Sequence, residues 1–190
     1  MFSLQNKKAV VTGGGSGIGR AIATLFAKQG AEVHILDLTL ESAHEAVEDI
    51  KKEGGIVFSH ACNVANQKEV VAAFEAIGNI HILINNAGIA NVGKVDTTSE
   101  SDFDRVMEVN VKGVYNCLYA AIPQFRLSKG GVILNMASIA AWVGIQDRFA
   151  YSTAKGAVMA MTLSVARDYI GENIRCNSIS PARVHTPFVD

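Results

Sequence analysis

The sequence has 190 residues, of which 49% are hydrophobic and 18% are charged, and its formal net charge at pH 7 is −1. This length and apolar content predict one domain, residues 1–190, with a substantial core. The balanced charge argues against a nucleic-acid partner, and the lack of a long apolar run argues against a membrane protein. Three widely spaced cysteines indicate reduced packing residues and no metal site, so we expect a soluble cytoplasmic protein.

The first predicted element is a strand at residues 8–12, and a glycine-rich stretch follows it directly. Beyond the glycines, apolar residues recur at helical spacing as far as Gly30. A strand, a glycine turn and a helix form the arrangement in which backbone N–H groups bind a dinucleotide pyrophosphate. The spacing G-x-x-x-G-x-G differs from the common fingerprint, and alone it also serves ordinary turns. The candidate cofactor residues here are Gly13, Ser16, Gly17, Ile18 and Gly19.

An acidic residue ends the second predicted strand, which covers residues 32–36. Asp37 stands where a carboxylate accepts both ribose hydroxyls of an adenosine and repels a 2′-phosphate. No lysine or arginine lies within the glycine turn or directly after Asp37. We therefore predict NAD rather than NADP as the cofactor. The alternative is that Asp37 caps the next helix, predicted at residues 41–52.

Asparagines follow the third and fourth predicted strands, at residues 56–61 and 81–84. Asn63 is a candidate to bind the adenine amine, and asparagines are also common in ordinary turns. Because both sets follow strands of one predicted sheet, we expect them along one groove. The candidate lining residues are Asn63, Val64, Asn86, Ala87 and Gly88.

A long amphipathic helix is predicted at residues 102–121, with Ser99 or Ser101 as its N-cap. Asn110 lies on the apolar side of this helix. A buried amide needs hydrogen-bond partners, so Asn110 either ties two segments together or holds an ordered water. The two roles are compatible.

The last two predicted strands cover residues 131–136 and 174–179, and Ser138 follows the first of them. Strands that alternate with helices predict right-handed crossovers and a parallel sheet. The predicted fold is therefore a Rossmann-type, doubly wound α/β sheet with helices on both faces. In such folds ligands bind beyond the carboxyl ends of the strands, where these candidate residues lie.

A predicted helix from Tyr151 to about Tyr169 places two chemically important residues on one face. Residues four apart lie above one another, so the Tyr151 phenol and the Lys155 ammonium are neighbours. Because a neighbouring cation favours the phenolate, we expect Lys155 to lower the pKa of Tyr151. Such a phenol can donate and accept protons near neutral pH. Taken alone, the pair is more typical of an interfacial tyrosine and a lysine that reaches solvent, and the catalytic interpretation depends on the residues that precede it.

Taken together, these residues resemble the short-chain dehydrogenase/reductase family, and the resemblance covers nearly the entire chain. The motifs that carry it are Thr12-Gly13, Gly17-Ile18-Gly19, Asp37, Asn63-Val64, Asn85-Asn86-Ala87-Gly88, Asn110, Ser138, Tyr151, Lys155 and Pro181 to Thr186.

The resemblance implies a catalytic tetrad of Asn110, Ser138, Tyr151 and Lys155. Tyr151 would be the general acid/base, Ser138 would bind the substrate oxygen, Lys155 would bind the nicotinamide ribose, and Asn110 would hold a water. It further implies cofactor contacts from Pro181, Val184 and Thr186.

The resemblance also implies subunit contacts. The helix of Tyr151 and the helix at residues 102–121 would form the interface of a homodimer or homotetramer. Relatives continue beyond this point with a substrate loop, a helix and a strand. We therefore expect that the C-terminal part of the fold is missing after residues 188–190.

Arg148 lies three residues before Tyr151, in the loop that follows Ser138, and is the main candidate for substrate selection. An arginine here can bind a carboxylate through two hydrogen bonds and place the neighbouring carbinol for reaction. A surface pair between Arg148 and Asp147 is an equally compatible interpretation. Arg183 and His185 are further polar candidates, and Trp142 is expected to cover apolar surface.

The sequence thus predicts an NAD-dependent oxidoreductase that acts on a secondary alcohol or ketone, with a small polar hydroxy acid or sugar acid as substrate. Ser138, Arg148 and Tyr151 are the predicted substrate contacts. The first alternative is a non-catalytic dinucleotide sensor, which would not need the tetrad. The second is a Rossmann-type methyltransferase, which would bind S-adenosylmethionine and not NADH.

Overall fold

The computed structural model describes residues 2–186, in which strands and helices alternate. The strands are β1 (Lys8–Thr12), β2 (Glu32–Asp37), β3 (Ile56–Ala61), β4 (Ile82–Asn85), β5 (Gly131–Met136) and β6 (Ile174–Ile179). The main helices are α1 (Gly17–Lys28), α2 (Leu40–Lys52), α3 (Gln67–Ile77), α4 (Glu100–Met107), α5 (Gly113–Leu127) and α6 (Phe149–Tyr169). Residues 187–190, which include the expected point of truncation, lie outside the described range.

The strands form one parallel sheet in the order β3-β2-β1-β4-β5-β6. The order reverses between β1 and β4, which pair along Ala9–Ile82, Val10–Leu83 and Val11–Ile84. At such a switch point the connections leave the sheet in opposite directions and open a crevice beyond the carboxyl ends. The predicted doubly wound fold is confirmed.

Two helical layers cover the sheet because its strands are apolar on both faces. Helices α1 and α2 bury small and branched side chains, among them Ala23 and Val47, against one face. Helices α3, α5 and α6 bury Phe74, Phe125 and Val158 against the other. Within residues 2–186, none of these helices has both the length and the apolar character needed to cross a bilayer.

The helix predicted at residues 102–121 is interrupted. A π-helical turn at Glu108–Lys112 separates α4 from α5, and α5 then continues through Pro123 to Leu127. The predicted cap is present, because the Ser99 hydroxyl accepts a hydrogen bond from the Asp102 N–H at 3.1 Å. The predicted helical stretch is thus present with Asn110 buried, and the π-turn within it was not predicted.

Candidate active site

A groove of about 730 Å³ lies beyond the carboxyl ends of the strands, within the volume range of cofactor sites. Most of the predicted cofactor residues line it, and these are Gly13, Ser16, Gly17, Ile18, Asp37, Asn63, Val64, Asn86, Ala87, Gly88, Tyr151, Lys155, Pro181, Val184 and Thr186. The candidate substrate residues Ser138, Arg148 and Arg183 line it too. Gly19 and Asn110 are not on its surface and lie behind it.

The glycine turn brings the start of α1 to the groove. Gly13 has a φ of +61°, a conformation that side chains other than glycine rarely adopt. A Cβ at Gly19 would collide with the Gly13 carbonyl and the Asn86 amide, so Gly19 allows α1 to pack behind the turn. The Ser16 side chain does not cap α1, which leaves the first N–H groups of the helix to an anion.

Asp37 is held at the end of β2 by backbone donors. Its Oδ2 accepts from the Gly15 N–H at 3.0 Å, and its Oδ1 accepts from the Leu38 N–H at 2.9 Å. The cap of α2 is Thr39, whose hydroxyl accepts from the Ser42 N–H at 3.2 Å. The capping alternative for Asp37 is therefore wrong, and its carboxylate is fixed between the glycine turn and the groove.

Thr12 joins the glycine turn to the loop after β4. Its hydroxyl accepts from the N–H groups of Asn86 and Ala87, both at 3.0 Å. The Asn86 amide donates to the carbonyls of Thr12 and Gly13, also at 3.0 Å. Both hydrogens of that amide are thus engaged in holding the turn. Thr12 belongs to the motifs that carry the family resemblance, but these hydrogen bonds were not predicted for it. A polar residue at the end of a buried strand is the signal that could have indicated them.

The loop after β3 forms the floor of the groove beside Asp37. Asn63 accepts from the Ala65 N–H at 3.0 Å with its side-chain oxygen, and its own N–H donates to Glu69 at 2.8 Å. The Val64 carbonyl accepts from the Asn116 amide at 2.8 Å. Burial raises the pKa of the neighbouring Cys62 thiol to about 11, so this groove residue stays protonated.

Ser138, Tyr151 and Lys155 converge at the opposite end of the groove. A hydrogen bond joins the Ser138 hydroxyl and the Tyr151 phenol, and the Ser138 oxygen also accepts from the Ala140 N–H at 3.2 Å. The Lys155 Nζ lies 5.7 Å from the centre of the Tyr151 ring and donates to the Met136 carbonyl at 2.6 Å. Because an ammonium has three donors, two remain for a ligand.

The pKa of Tyr151 is raised, mainly by burial of the phenol, while the Ser138 hydrogen bond and the Arg148 charge act in the opposite direction. The expectation that Lys155 lowers this pKa below its ordinary value is therefore wrong for this structure. Lys155 is itself buried, and burial lowers its pKa to about 8. Desolvation of both groups outweighs their proximity.

Asn110 is a structural tie. Its side-chain oxygen accepts from the Ile89 N–H at 2.8 Å, and its amide donates to the Ile89 carbonyl at 2.7 Å. A Cβ added at Gly88 would lie 3.1 Å from this oxygen and 3.7 Å from the Lys155 Nζ. The π-turn therefore braces the loop beside Lys155, and a bound water at Asn110 stays a prediction.

Arg148 lies beside Tyr151 at the start of α6. Its Nη1 donates to the Asp147 backbone carbonyl at 3.0 Å, which differs from the expected pair with the Asp147 carboxylate. Around it the groove is mostly apolar, with four residues that the sequence did not single out: Ile89, Ala90, Ile139 and Ile145. Among residues 2–186, no three His, Cys, Asp or Glu side chains are placed to hold a metal ion.

Two loops that line the groove are joined at its rim. The Ile139 N–H donates to the Pro181 carbonyl at 3.1 Å, and the Trp142 indole N–H donates to the Ser180 hydroxyl at 3.0 Å. The Trp142 side chain is otherwise exposed, at 67%. The loop after β5 and the loop after β6 are thus joined by two hydrogen bonds.

The comparisons with known proteins agree with this geometry. Residues 7–190 match the family model described as short chain dehydrogenase. The 2-(R)-hydroxypropyl-CoM dehydrogenase of Xanthobacter autotrophicus is 41% identical over 96% of this chain and 76% of its own length. The cyclohexanol dehydrogenase of an Acinetobacter species is 37% identical over 97% of this chain and 75% of its own. An NAD⁺-bound xylitol dehydrogenase superposes with a TM-score of 0.91 at 34% identity, over 94% of this chain and 71% of its own.

Proposed function

Because this chain belongs to the short-chain dehydrogenase family and is an oxidoreductase of that family, we propose that it transfers a hydride between NAD and a secondary alcohol or its ketone. The observation that carries the proposal is the convergence of Ser138, Tyr151 and Lys155 on a groove that also holds the glycine turn and Asp37.

The groove suits a nicotinamide dinucleotide. The open N-terminus of α1 would hold the pyrophosphate, and the fixed Asp37 carboxylate would accept the adenosine ribose hydroxyls. The two remaining donors of Lys155 would hold the second ribose. The bound cofactor supplies the hydride acceptor or donor, and the chain supplies orientation and proton transfer. Asp37 and the neighbouring Leu38 favour NAD over NADP.

Proton transfer falls to Tyr151. In alcohol oxidation its phenolate takes the hydroxyl proton, and in ketone reduction its phenol returns that proton. The Ser138 hydroxyl lies within hydrogen-bond reach of the phenol, so a substrate oxygen placed between them is held for the transfer. Lys155, braced by the Met136 carbonyl beside the Tyr151 ring, would hold the nicotinamide ribose next to the phenol.

The substrate end of the groove favours a small hydroxy acid. Arg148 supplies one cation beside Tyr151, and the surrounding apolar side chains leave it as the natural partner of a carboxylate. The relatives named above act on different alcohols, so this part of the groove determines the substrate. We infer that a carboxylate on Arg148 sets the carbinol against Tyr151 and Ser138.

The test is turnover. Wild-type protein is expected to reduce NAD with members of a panel of hydroxy acids, sugar acids and polyols, monitored by NADH absorbance. Binding of NADH without turnover across the panel would favour the non-catalytic sensor. Binding of S-adenosylmethionine without any response to NADH would favour the methyltransferase.

The Tyr151→Phe variant separates chemistry from binding. The loss of the acid/base hydroxyl is expected to lower kcat by roughly 10²–10⁴-fold, while the Kd for NADH stays within about twofold. The matched control is Tyr169→Phe, which removes a hydroxyl at the end of α6, away from the groove. Wild-type turnover in Tyr151→Phe would contradict the assignment.

A further inference from the structure

Asn116 is a buried amide whose side chain donates a hydrogen bond to a residue of the cofactor groove. It lies in α5, is fully buried, and donates to the Val64 carbonyl at 2.8 Å across 52 residues of sequence. Val64 belongs to the loop after β3 and lines the same groove as Asp37. Asn116 itself does not line the groove. Asn116 therefore supports the wall of the groove without lining it.

The other end of the same amide is unsatisfied. The Asn116 side-chain oxygen is buried and accepts no hydrogen bond from residues 2–186. A buried acceptor without a partner costs about as much as the single hydrogen bond at the other end contributes. An apolar residue of the same shape would therefore serve the core equally well, and stability alone does not explain an amide at this position.

Gly113 acts on the same contact one helical turn earlier. A Cβ at Gly113 would lie 2.8 Å from the Val64 Cγ2, closer than real side chains pack. The glycine lets α5 approach the β3 loop, and Asn116 then bonds its backbone. Two residues at i and i+3 of one helix thus fix one point of the groove floor.

The same floor is held from its other sides as well. The Cys62 N–H donates to the Asp37 carbonyl at 2.7 Å, and the Asn63 N–H donates to Glu69 at 2.8 Å. The hydrogen bond from Asn116 links this loop to α5. Without it, Val64 and its neighbours can move away from the groove while the rest of the sheet keeps its place.

We propose that Asn116 is a positioning residue for the adenosine half of the dinucleotide, acting through the Val64 carbonyl with Gly113 as its packing partner. The inference rests on the proposed function, because it assumes that the groove beside Asp37 takes adenosine. It assigns no contact between Asn116 and the ligand. Binding at the nicotinamide end, near Tyr151 and Lys155, does not depend on it.

The experiment compares fragments of the cofactor. In Asn116→Leu the Kd for AMP and the KM for NAD are expected to rise about tenfold, as for one lost hydrogen bond in a preorganised site. The Kd for nicotinamide mononucleotide and the kcat at saturating NAD are expected to stay within about twofold. A merely structural role would reduce the fraction of active enzyme and would not separate the two fragments.

Two further variants complete the design. Gly113→Ala keeps the amide and displaces Val64, and since Gly113 has helical φ and ψ of −60° and −45°, alanine suits its backbone. It is expected to weaken AMP binding as Asn116→Leu does, and it decides the question alone if Asn116→Leu does not fold. Ile122→Val is the control, since this buried residue of α5 does not line the groove and should leave AMP binding unchanged.

The outcomes are separable. Wild-type affinity for AMP in both Asn116→Leu and Gly113→Ala would overturn the inference and leave the proposed function intact. Equal weakening of AMP and nicotinamide mononucleotide would also overturn it, as a sign of general loosening. A wild-type protein that binds neither AMP nor NADH would overturn the proposed function and the inference together.

Discussion

Lys155 is a buried lysine. Its ammonium group is costly to bury, but the proposed reaction requires it at this position. Its side chain is 5% exposed, and burial lowers its pKa from 10.5 to about 8. Below about pH 8 the amine is charged in both the folded and the unfolded chain, so folding has to bury a charge. Between about pH 8 and 10.5 only the unfolded chain keeps the proton, and the free energy of unfolding rises with pH across this window.

Lys155→Met is therefore expected to stabilise the protein while it abolishes turnover. The pKa shift corresponds to roughly 3 kcal/mol at neutral pH. Loss of the bond to the Met136 carbonyl offsets about 1 kcal/mol of this gain. Denaturant unfolding should show the variant more stable at pH 7, with the difference shrinking towards pH 10. The control is Lys68→Met, an exposed lysine of α3, and equal stability of wild type and Lys155→Met would contradict the prediction.

We propose that Arg148 selects charged over neutral substrates. Arg148→Leu should raise the KM for hydroxy acids by about tenfold or more, because charge-assisted hydrogen bonds to a carboxylate are lost, and should leave neutral alcohols nearly unaffected. The loss of a cation that lowers the Tyr151 pKa should also move the rise of oxidation rate to higher pH. Arg175→Leu is the matched control, since this exposed arginine of β6 does not line the groove. An unchanged preference for hydroxy acids would refute the role of Arg148.

Among the secondary-structure elements, we propose that the end of β2 governs the choice of cofactor. Asp37→Ala removes the proposed ribose acceptor and also the acceptor for the Gly15 and Leu38 N–H groups. The KM for NAD should rise by about tenfold or more, and discrimination against NADP should weaken. Steady-state kinetics with both cofactors measures this, and Asp37→Asn, which keeps an oxygen acceptor, should be less affected. Unchanged selectivity in Asp37→Ala would dismiss this role.

The sheet was predictable because each strand is a short β-rich run that a turn follows. The bounds of β1, β3, β5 and β6 match the prediction, and β4 is shifted by one residue. The groove was predictable for the same reason, since the carboxyl ends of parallel strands share one edge. Once the strands are known, Asp37, Asn63 and Ser138 have to meet there.

The helices and the buried hydrogen bonds were harder to foresee. The π-turn at Glu108–Lys112 has no glycine or proline within it to signal it, and its Asn110 bonds Ile89 across the fold. Asn116 and Thr12 also act on distant segments, at separations that leave no periodic pattern. The direction of the Tyr151 pKa depends on burial, which spacing along one helix does not report.

At the scale of the whole molecule, several apolar side chains are exposed on the outer faces of α5 and α6, and others are exposed on β3 and in loops. Tyr115 and Tyr119 of α5 are 48% and 56% exposed, and Leu163 of α6 is 71% exposed. Such patches on a folded surface mark contact sites. We infer a homodimer or homotetramer built on these helices, with residues 1–190 acting as one dinucleotide-binding domain in each subunit.

The double substitution Tyr115→Glu and Tyr119→Glu introduces two negative charges and should dissociate the oligomer, because an interface core does not tolerate unpaired charges. Light scattering is expected to give a multiple of the chain mass for the wild type and a single chain mass for the double variant. Leu40→Glu, on an exposed position of α2, should keep the wild-type mass. A wild-type mass of one chain would contradict the inference.

The indole that links the two rim loops has a practical consequence. Trp142 is the single tryptophan of the sequence, and its N–H bonds Ser180 across the mouth of the groove. The intrinsic tryptophan emission of the protein therefore comes from a single site beside the proposed nicotinamide end. A dihydronicotinamide that entered there would quench this emission by energy transfer. Cofactor binding can therefore be followed by tryptophan fluorescence, without an attached dye.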